Sequence, residues 1–197
     1  MTLHLATGNP GKVNDFAGVP ELHLSVLPGF AALASVEETG TNFEANARIK
    51  AEHYSRLAPE IWLVADDSGL EVDALGGAPG VLSARFAGLH GDDAANNRLL
   101  LAKLHDLPPE RRTARYRCVL ALARGGAVVR CFEGVCEGLI LDHPRGTGGF
   151  GYDPLFYSKA AKATFAEISL KRKAALSHRG AAAHALLQWL RQHDEKD

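Results

Sequence analysis

Residues 2–16 read TLHLATGNPGKVNDF, and this stretch decides the fold class. Thr2–Thr7 is apolar and alternating enough for a strand, Gly8-Asn9-Pro10-Gly11 breaks it, and Lys12–Phe16 begins a helix. The same exchange of strand for helix continues outward. Glu21–Leu27 offers a second strand. Thr41-x-x-Glu44 has the form of a capping box, after which Phe43, Ala47, Ala51, Tyr54 and Ala58 share one face at helical spacing. Ile61–Ala65 is a short apolar strand running into Asp66-Asp67-Ser68-Gly69, and the loop Gly76–Gly80 follows. Asp92 or Asp93 caps a helix that reaches Leu104. Arg115–Ala123 and Val128–Cys136 alternate as paired strands around Gly125-Gly126. A glycine loop, Gly146–Gly151, precedes a helical stretch over Leu170–Gln192 with an interruption near Gly180. Helices separate most strand pairs, so the class is α/β with a mixed sheet.

At 197 residues the chain is expected to form a single domain, 1–197, with two small lobes sharing a core. With 46% hydrophobic and 23% charged residues, it has the composition of a soluble globular protein. The near balance of 22 basic against 23 acidic residues argues against a nucleic-acid polymer as partner, because such binding draws on a strongly basic face. A small anion remains open. Cys118, Cys131 and Cys136 lack Cys-x-x-Cys spacing and are read as buried reduced thiols. Without a charged leader, and with no window near the roughly 18 apolar residues of a membrane span, a cytoplasmic location is expected.

Four segments carry groups suited to chemistry. Thr7-Gly8-Asn9-Pro10-Gly11-Lys12 combines a helix N-terminus with a lysine, which suits a phosphate; a Pro-Gly turn that only reverses the chain fits the same residues. The P-loop pattern is absent, since Val13 follows the lysine. Glu37-Glu38 and Asp66-Asp67 supply carboxylates for Mg²⁺ or for activating water, or else form a solvated acidic turn with Ser68-Gly69. Successive residues on a strand face opposite sides, so Asp66 and Asp67 need not converge. Gly146–Pro154 contains Gly-x-Gly-x-x-Gly, but no helix begins inside it, so the dinucleotide reading fails. Phe150 and Tyr152 on that loop suit a flat base, the alternative being a flexible surface loop. Finally, Lys173 and Ser177-His178-Arg179-Gly180 bring donors that suit oxygens on a base, whereas a solvated helix face would explain the charge run Lys171–Lys173 equally well.

Together these segments resemble the noncanonical purine NTP pyrophosphatase family, the inosine triphosphate or dITP/XTP pyrophosphatases. The matching strings are Ala6–Lys12 (ATGNPGK), Glu37–Gly40 (EETG), Phe43–Ala51 (FEANARIKA), Ala65–Gly69 (ADDSG), Leu75–Arg85 (LGGAPGVLSAR), Gly146–Phe156 (GTGGFGYDPLF) and Ser177–Gly180 (SHRG), in order along nearly the whole chain. The resemblance implies a two-lobed α/β fold with a mixed sheet, flanking helices and a deep central cleft. It also implies a homodimer and Mg²⁺-dependent conversion of ITP, dITP or XTP to the monophosphate and pyrophosphate. Carried over by motif, Thr7, Gly8, Asn9, Pro10, Gly11 and Lys12 hold the triphosphate. Asp67 is the general base or metal-linked carboxylate, with Glu38 and Asp66 placing Mg²⁺. Lys50 faces the phosphates, and Ser68 touches substrate. Phe150, Gly151, Tyr152 and Asp153 cover base and sugar, Lys173 meets substrate, and His178 and Arg179 read the purine. Such donors would pair with the C6 oxygen of hypoxanthine or xanthine and be left unpaired by adenine. Two positions depart from the family habit: Asp15 replaces a glutamate and Arg172 an acidic residue. A related pyrophosphatase for modified pyrimidine or other damaged nucleotides, and a nucleotide-binding regulator, are the competing readings.

Overall fold

In a computed structural model, which describes residues 2–193, the chain builds one seven-stranded sheet flanked by five α-helices. The strands are β1 (Leu3–Leu5), β2 (Leu24–Val26), β3 (Trp62–Val72), β4 (Thr113–Arg124), β5 (Ala127–Ile140), β6 (Phe156–Ser158) and β7 (Ala163–Thr164). Their order is β2-β1-β3-β4-β5-β6-β7, with β2, β1 and β3 parallel and the rest antiparallel. The mixed sheet expected from the sequence is therefore present.

Helix α1 (Pro10–Ala17) links β1 to β2, and α2 (Phe43–Leu57) links β2 to β3. The two helices cover opposite faces. Leu5, Val64, Leu120 and Leu122 pack with Phe16 of α1 and Leu186 of α5 (His178–His193), whereas Leu63, Ala65 and Ala121 pack with Ala47, Ala51 and Tyr54 of α2. Adjacent crossovers on opposite faces open a crevice at the carboxyl ends of the strands between them. In this sheet that switch point falls beyond the last β1–β3 pair, Leu5↔Val64. A third apolar cluster, including Leu70, Leu100, Leu104, Tyr116 and Phe156, fills the sheet's far end under α3 (Asp93–Lys103).

Three local expectations change. Asn42, not Thr41, caps α2, its Oδ1 accepting from Ala45 N–H at 2.8 Å, so the capping box does not form; Glu44 instead pairs with Arg48 one turn on. The strand entering Asp66-Asp67-Ser68-Gly69 does not end there. It continues through Val72 because Ala65–Val72 pair in register with β4. The interruption expected near Gly180 falls at Ser177, between α4 (Leu170–Leu176) and α5. Gly180 sits in the first turn of α5, where a Cβ would lie 1.7 Å from the carbonyl oxygen of Ala174. The close crossing of the two helices, not a break, is what requires glycine there.

Candidate active site

At the end of β1, Asn9 caps α1: its Oδ1 accepts from Gly11 N–H at 2.8 Å and Lys12 N–H at 3.3 Å, while Thr7 Oγ1 accepts from Asn9 N–H. Pro10 starts the helix, so the Pro-Gly pair belongs to a helix N-terminus and not to an isolated turn. Two of the first amide donors of α1 are thus taken by Asn9. The positive end of α1 remains beside Lys12, whose Nζ lies 3.2 Å from Asp66 Oδ2.

Asp66 and Asp67 project to opposite faces, as strand geometry requires. Asp66 meets Lys12 and also Arg179, whose Nε is 3.1 Å from the same oxygen; its Oδ1 accepts the Cys118 thiol proton at 3.4 Å. Burial pushes its pKa up, but Lys12 and Arg179 outweigh burial and hold the carboxyl well below the ordinary range. Both oxygens are occupied, which leaves Asp66 poorly placed to serve Mg²⁺ directly. Asp67 faces α2. Its Oδ1 accepts from Lys50 Nζ at 2.7 Å, and the same ammonium lies 3.1 Å from Glu38 Oε1. Burial raises the Asp67 pKa above the ordinary carboxylate value, with Lys50 opposing. For Lys50 the balance runs the other way: burial disfavours the ammonium, but Asp67 and Glu38 win and raise its pKa.

Asp67 Oδ2 is buried and has no partner. Among the described residues no three His, Cys, Asp or Glu side chains form a ready-made metal shell. Mg²⁺, however, is commonly held by one or two carboxylates with waters and substrate phosphates completing its shell. An orphaned Asp67 oxygen beside Glu38, both tied to one lysine, fits that pattern.

Residues of the Gly146–Pro154 and Lys173–Gly180 segments form a second cluster with Asp15. Lys173 Nζ bridges Asp15 Oδ1 (2.9 Å) and Asp153 Oδ2 (2.6 Å), and Arg179 Nη1 reaches Asp15 Oδ2 at 2.9 Å. Asp15, one turn after Lys12, therefore joins both cations to α1. Arg179 Nη2 also donates to Ser68 Oγ at 2.6 Å. The guanidinium is engaged with three side chains of the protein, so it shapes the site more than it waits for a base. Burial disfavours its charge, yet Asp66 and Asp15 raise its pKa. The Phe150 ring lies over both cations, 5.0 Å from Lys173 Nζ and 5.1 Å from Arg179 Cζ, and a Cβ on Gly11 would meet it at 2.5 Å. It is only half-buried and can offer a stacking face. Tyr152 differs: it is turned into the core, its hydroxyl donating to Ser83 O at 2.9 Å.

His178 is buried and stacks on Tyr116 at 4.6 Å and 7°, and neither ring nitrogen has a partner. Burial, reinforced by Arg179 and Lys173, drives its pKa well below 6.5, so the ring is neutral. A neutral imidazole with both nitrogens unclaimed has one donor and one acceptor to offer. Arg172 points elsewhere and ties α4 to Ala161 O at 2.9 Å.

Some contributors carry no local signal. Buried Asn46 accepts from Gly40 N–H at 2.7 Å and so anchors the loop that bears Glu38. Asp93 and Asn97 of α3 grip Gly151 across the fold. The i+3 spacing of Lys12 and Asp15 on a helix is the one hint a sequence offers for Asp15. A recess of about 600 Å³ lies apart from these clusters, between the start of α2, Gly76–Leu82 and the Arg117–Glu133 pair.

Fold and site together define an α/β protein with a phosphate-type helix terminus, buried carboxylate–cation clusters and an aromatic lip at the switch point of a mixed sheet. The chain belongs to the Ham1 family, whose model matches residues 3–189. A protein of Desulforamulus reducens named dITP/XTP pyrophosphatase is 48% identical over 196 residues, covering 96% of either chain. One of the same name from Acidobacterium capsulatum is 50% identical over 198 residues, covering 95% of this chain and 97% of its own. The solved Ham1 protein of Staphylococcus aureus superposes with a TM-score of 0.84 at 38% identity, covering 98% of this chain and 100% of its own.

Proposed function

We propose that the protein hydrolyses noncanonical purine nucleoside triphosphates, ITP, dITP and XTP, to the monophosphate and pyrophosphate, and so cleanses the nucleotide pool of the cytoplasm. The observation that carries the site assignment is the unpartnered Asp67 Oδ2 beside Glu38 and Lys50, on the strand that pairs with β1 just before Thr7–Lys12. Relatives named dITP/XTP pyrophosphatase at near half identity over nearly the full chain support the substrate class.

In this reading the triphosphate lies along Thr7–Lys12, with the α1 terminus and Lys12 facing its charge. Asp67 takes a proton from the attacking water on Oδ2 while Lys50 fixes the carboxylate through Oδ1. The anhydride between the α- and β-phosphates breaks, and pyrophosphate leaves. Glu38 and Asp67 would hold Mg²⁺, which supplies charge neutralisation for the phosphates. Asp66 acts indirectly, by holding Lys12 and Arg179. On the base side Phe150 stacks on the purine, and His178, neutral and unpartnered, pairs with the base edge. Arg179 orients Ser68 and Phe150 around it. Adenine presents an amino donor at C6 where hypoxanthine presents an oxygen, so the two bases call for opposite tautomers of His178, and holding the wrong one costs roughly 1–3 kcal/mol. Because the sheet runs unbroken from β2 to β7, the chain works as one domain, and we propose a homodimer as its assembly.

The test is a panel of nucleoside triphosphates at matched concentration with Mg²⁺ and product identification. Pyrophosphate released from ITP and XTP far faster than from ATP or GTP is the expected result. Orthophosphate as the product, or a preference for modified pyrimidines, would refute it.

A further inference from the structure

Helix α3 lies at the far end of the sheet, yet two of its side chains grip the backbone of one residue in the glycine loop. Asp93 Oδ2 accepts from Gly151 N–H at 2.6 Å, and Asn97 Nδ2 donates to Gly151 O at 2.8 Å. The two residues are themselves joined, since Asn97 Nδ2 also donates to Asp93 O at 2.8 Å. Both atoms facing Nδ2 are carbonyl oxygens, which fixes the orientation of the Asn97 amide. Asp92 caps the same helix through Ala95 N–H at 2.9 Å, so the platform from which Asp93 reaches is rigid.

Gly151 is the residue after Phe150. Both polar groups of its peptide backbone are claimed by α3, and Phe150 N–H donates to Asp153 Oδ2 at 3.0 Å on the other side. The backbone on either side of Phe150 is thereby pinned, while its ring lies over Lys173 and Arg179 and against Gly11. We propose that Asp93 and Asn97 are positioning residues that set the height of the Phe150 ring over the purine, and hence contribute to the affinity for the base. The inference rests on the reading of Phe150 as the stacking surface. Without the clamp, Gly151 is free to rotate, and the ring loses the fixed approach that makes stacking on a bound base favourable.

The experiment compares Asp93→Ala, Asp93→Asn, Asn97→Asp and Phe150→Ala by steady-state kinetics with ITP and ATP, alongside melting temperatures. Asn97→Asp keeps the shape but turns oxygens onto two carbonyls. Asp93→Asn still presents an oxygen to Gly151 N–H and serves as the rescue. Asp93→Ala and Asn97→Asp are expected to raise KM for ITP about tenfold, the size of one lost hydrogen bond, with kcat held within about twofold. KM for ATP should rise in similar proportion, because stacking does not distinguish the two purines, and Asp93→Asn should recover most of the loss for both. In the Phe150→Ala background, Asp93→Ala should add nothing further. A KM for ITP unchanged in both clamp variants, when Phe150→Ala raises it, overturns the clamp and leaves the stacking reading standing. Phe150→Ala without effect overturns both, by its own failure. A fall in kcat in step with the melting temperature, with KM for both nucleotides unchanged, assigns α3 to stability alone and also overturns the proposal.

Discussion

Adjacent carboxylates on one strand should behave oppositely when neutralised, and the contrast between Asp66→Asn and Asp67→Asn follows from what each touches. Asp66 is buried and is the shared partner of Lys12 and Arg179. Removing one member of a buried ionic cluster leaves uncompensated charge and costs about 3–5 kcal/mol. The lower end applies here, because Arg179 keeps Asp15 at 2.9 Å and the Lys12 side chain retains 17% exposure. In a chain of this length each kcal/mol moves the melting temperature by about 2–4 °C, so Asp66→Asn should melt about 6–12 °C lower. Asp67 stands differently. Its ionised form is already disfavoured by burial, and Lys50 keeps Glu38 after the change. Asp67→Asn should therefore cost no more than about 1 kcal/mol, a shift of about 2–4 °C. Its turnover, by contrast, should fall at least about 100-fold with the loss of a general base. Scanning calorimetry and a pyrophosphate-release assay, run well below the lower melting point, read both quantities on each variant. An Asp66→Asn protein melting with the wild type, or an Asp67→Asn protein melting as low as Asp66→Asn, would show that the assignment of roles across the strand is mistaken. So would an Asp67→Asn protein that keeps most of its activity.

Three other outcomes are expected. His178 is held neutral by burial, so its folded pKa lies below the unfolded value of 6.5, and the unfolded chain binds the extra proton first. Stability from this residue is complete above pH 6.5 and declines as pH falls from there toward the folded pKa. Between pH 7 and 5.5 it should amount to about 1.3 kcal/mol, which denaturant titration of wild type against His178→Phe would reveal as a steeper acid decline in the wild type. Gly180→Ala should destabilise by about 3 kcal/mol or lose the fold, because its Cβ meets the Ala174 carbonyl and neither helix backbone can yield cheaply; a melt within error of the wild type would contradict the close crossing. Chelation with EDTA should stop turnover without unfolding the chain, and added Mg²⁺ should restore it. Activity that persists after exhaustive chelation would refute the metal requirement.

Local pattern was enough for the elements. The apolar face of α2, the hairpin of β4 and β5 and the helix after Asn9 all arise from short-range periodicity and turn residues, which act within a few positions of the chain. It was also enough to nominate Lys12, Glu38, Asp67, Phe150, Lys173, His178 and Arg179, because charged and aromatic residues beside glycine loops stand out against an apolar background, whereas Lys50, inside a helix, came only with the family resemblance. Local pattern misjudged the extent of β3, since pairing with β4 carries a strand through Asp66-Asp67-Ser68-Gly69 that in isolation looks like a turn. It also put the cap of α2 one residue early. Only the tertiary structure decided which charge meets which. Asp66 and Arg179 are 113 positions apart, Asp15 and Arg179 are 164 apart, and Gly151 is held from 54 and 58 positions away. Such pairings are set by sheet order and helix packing, so they leave no trace in sequence spacing. The quoted stretch TLHLATGNPGKVNDF established by itself that a strand turns into a helix beside a lysine. That its Lys12 answers to Asp66, and its Asp15 to the two cations under Phe150, required the whole sheet to be assembled first.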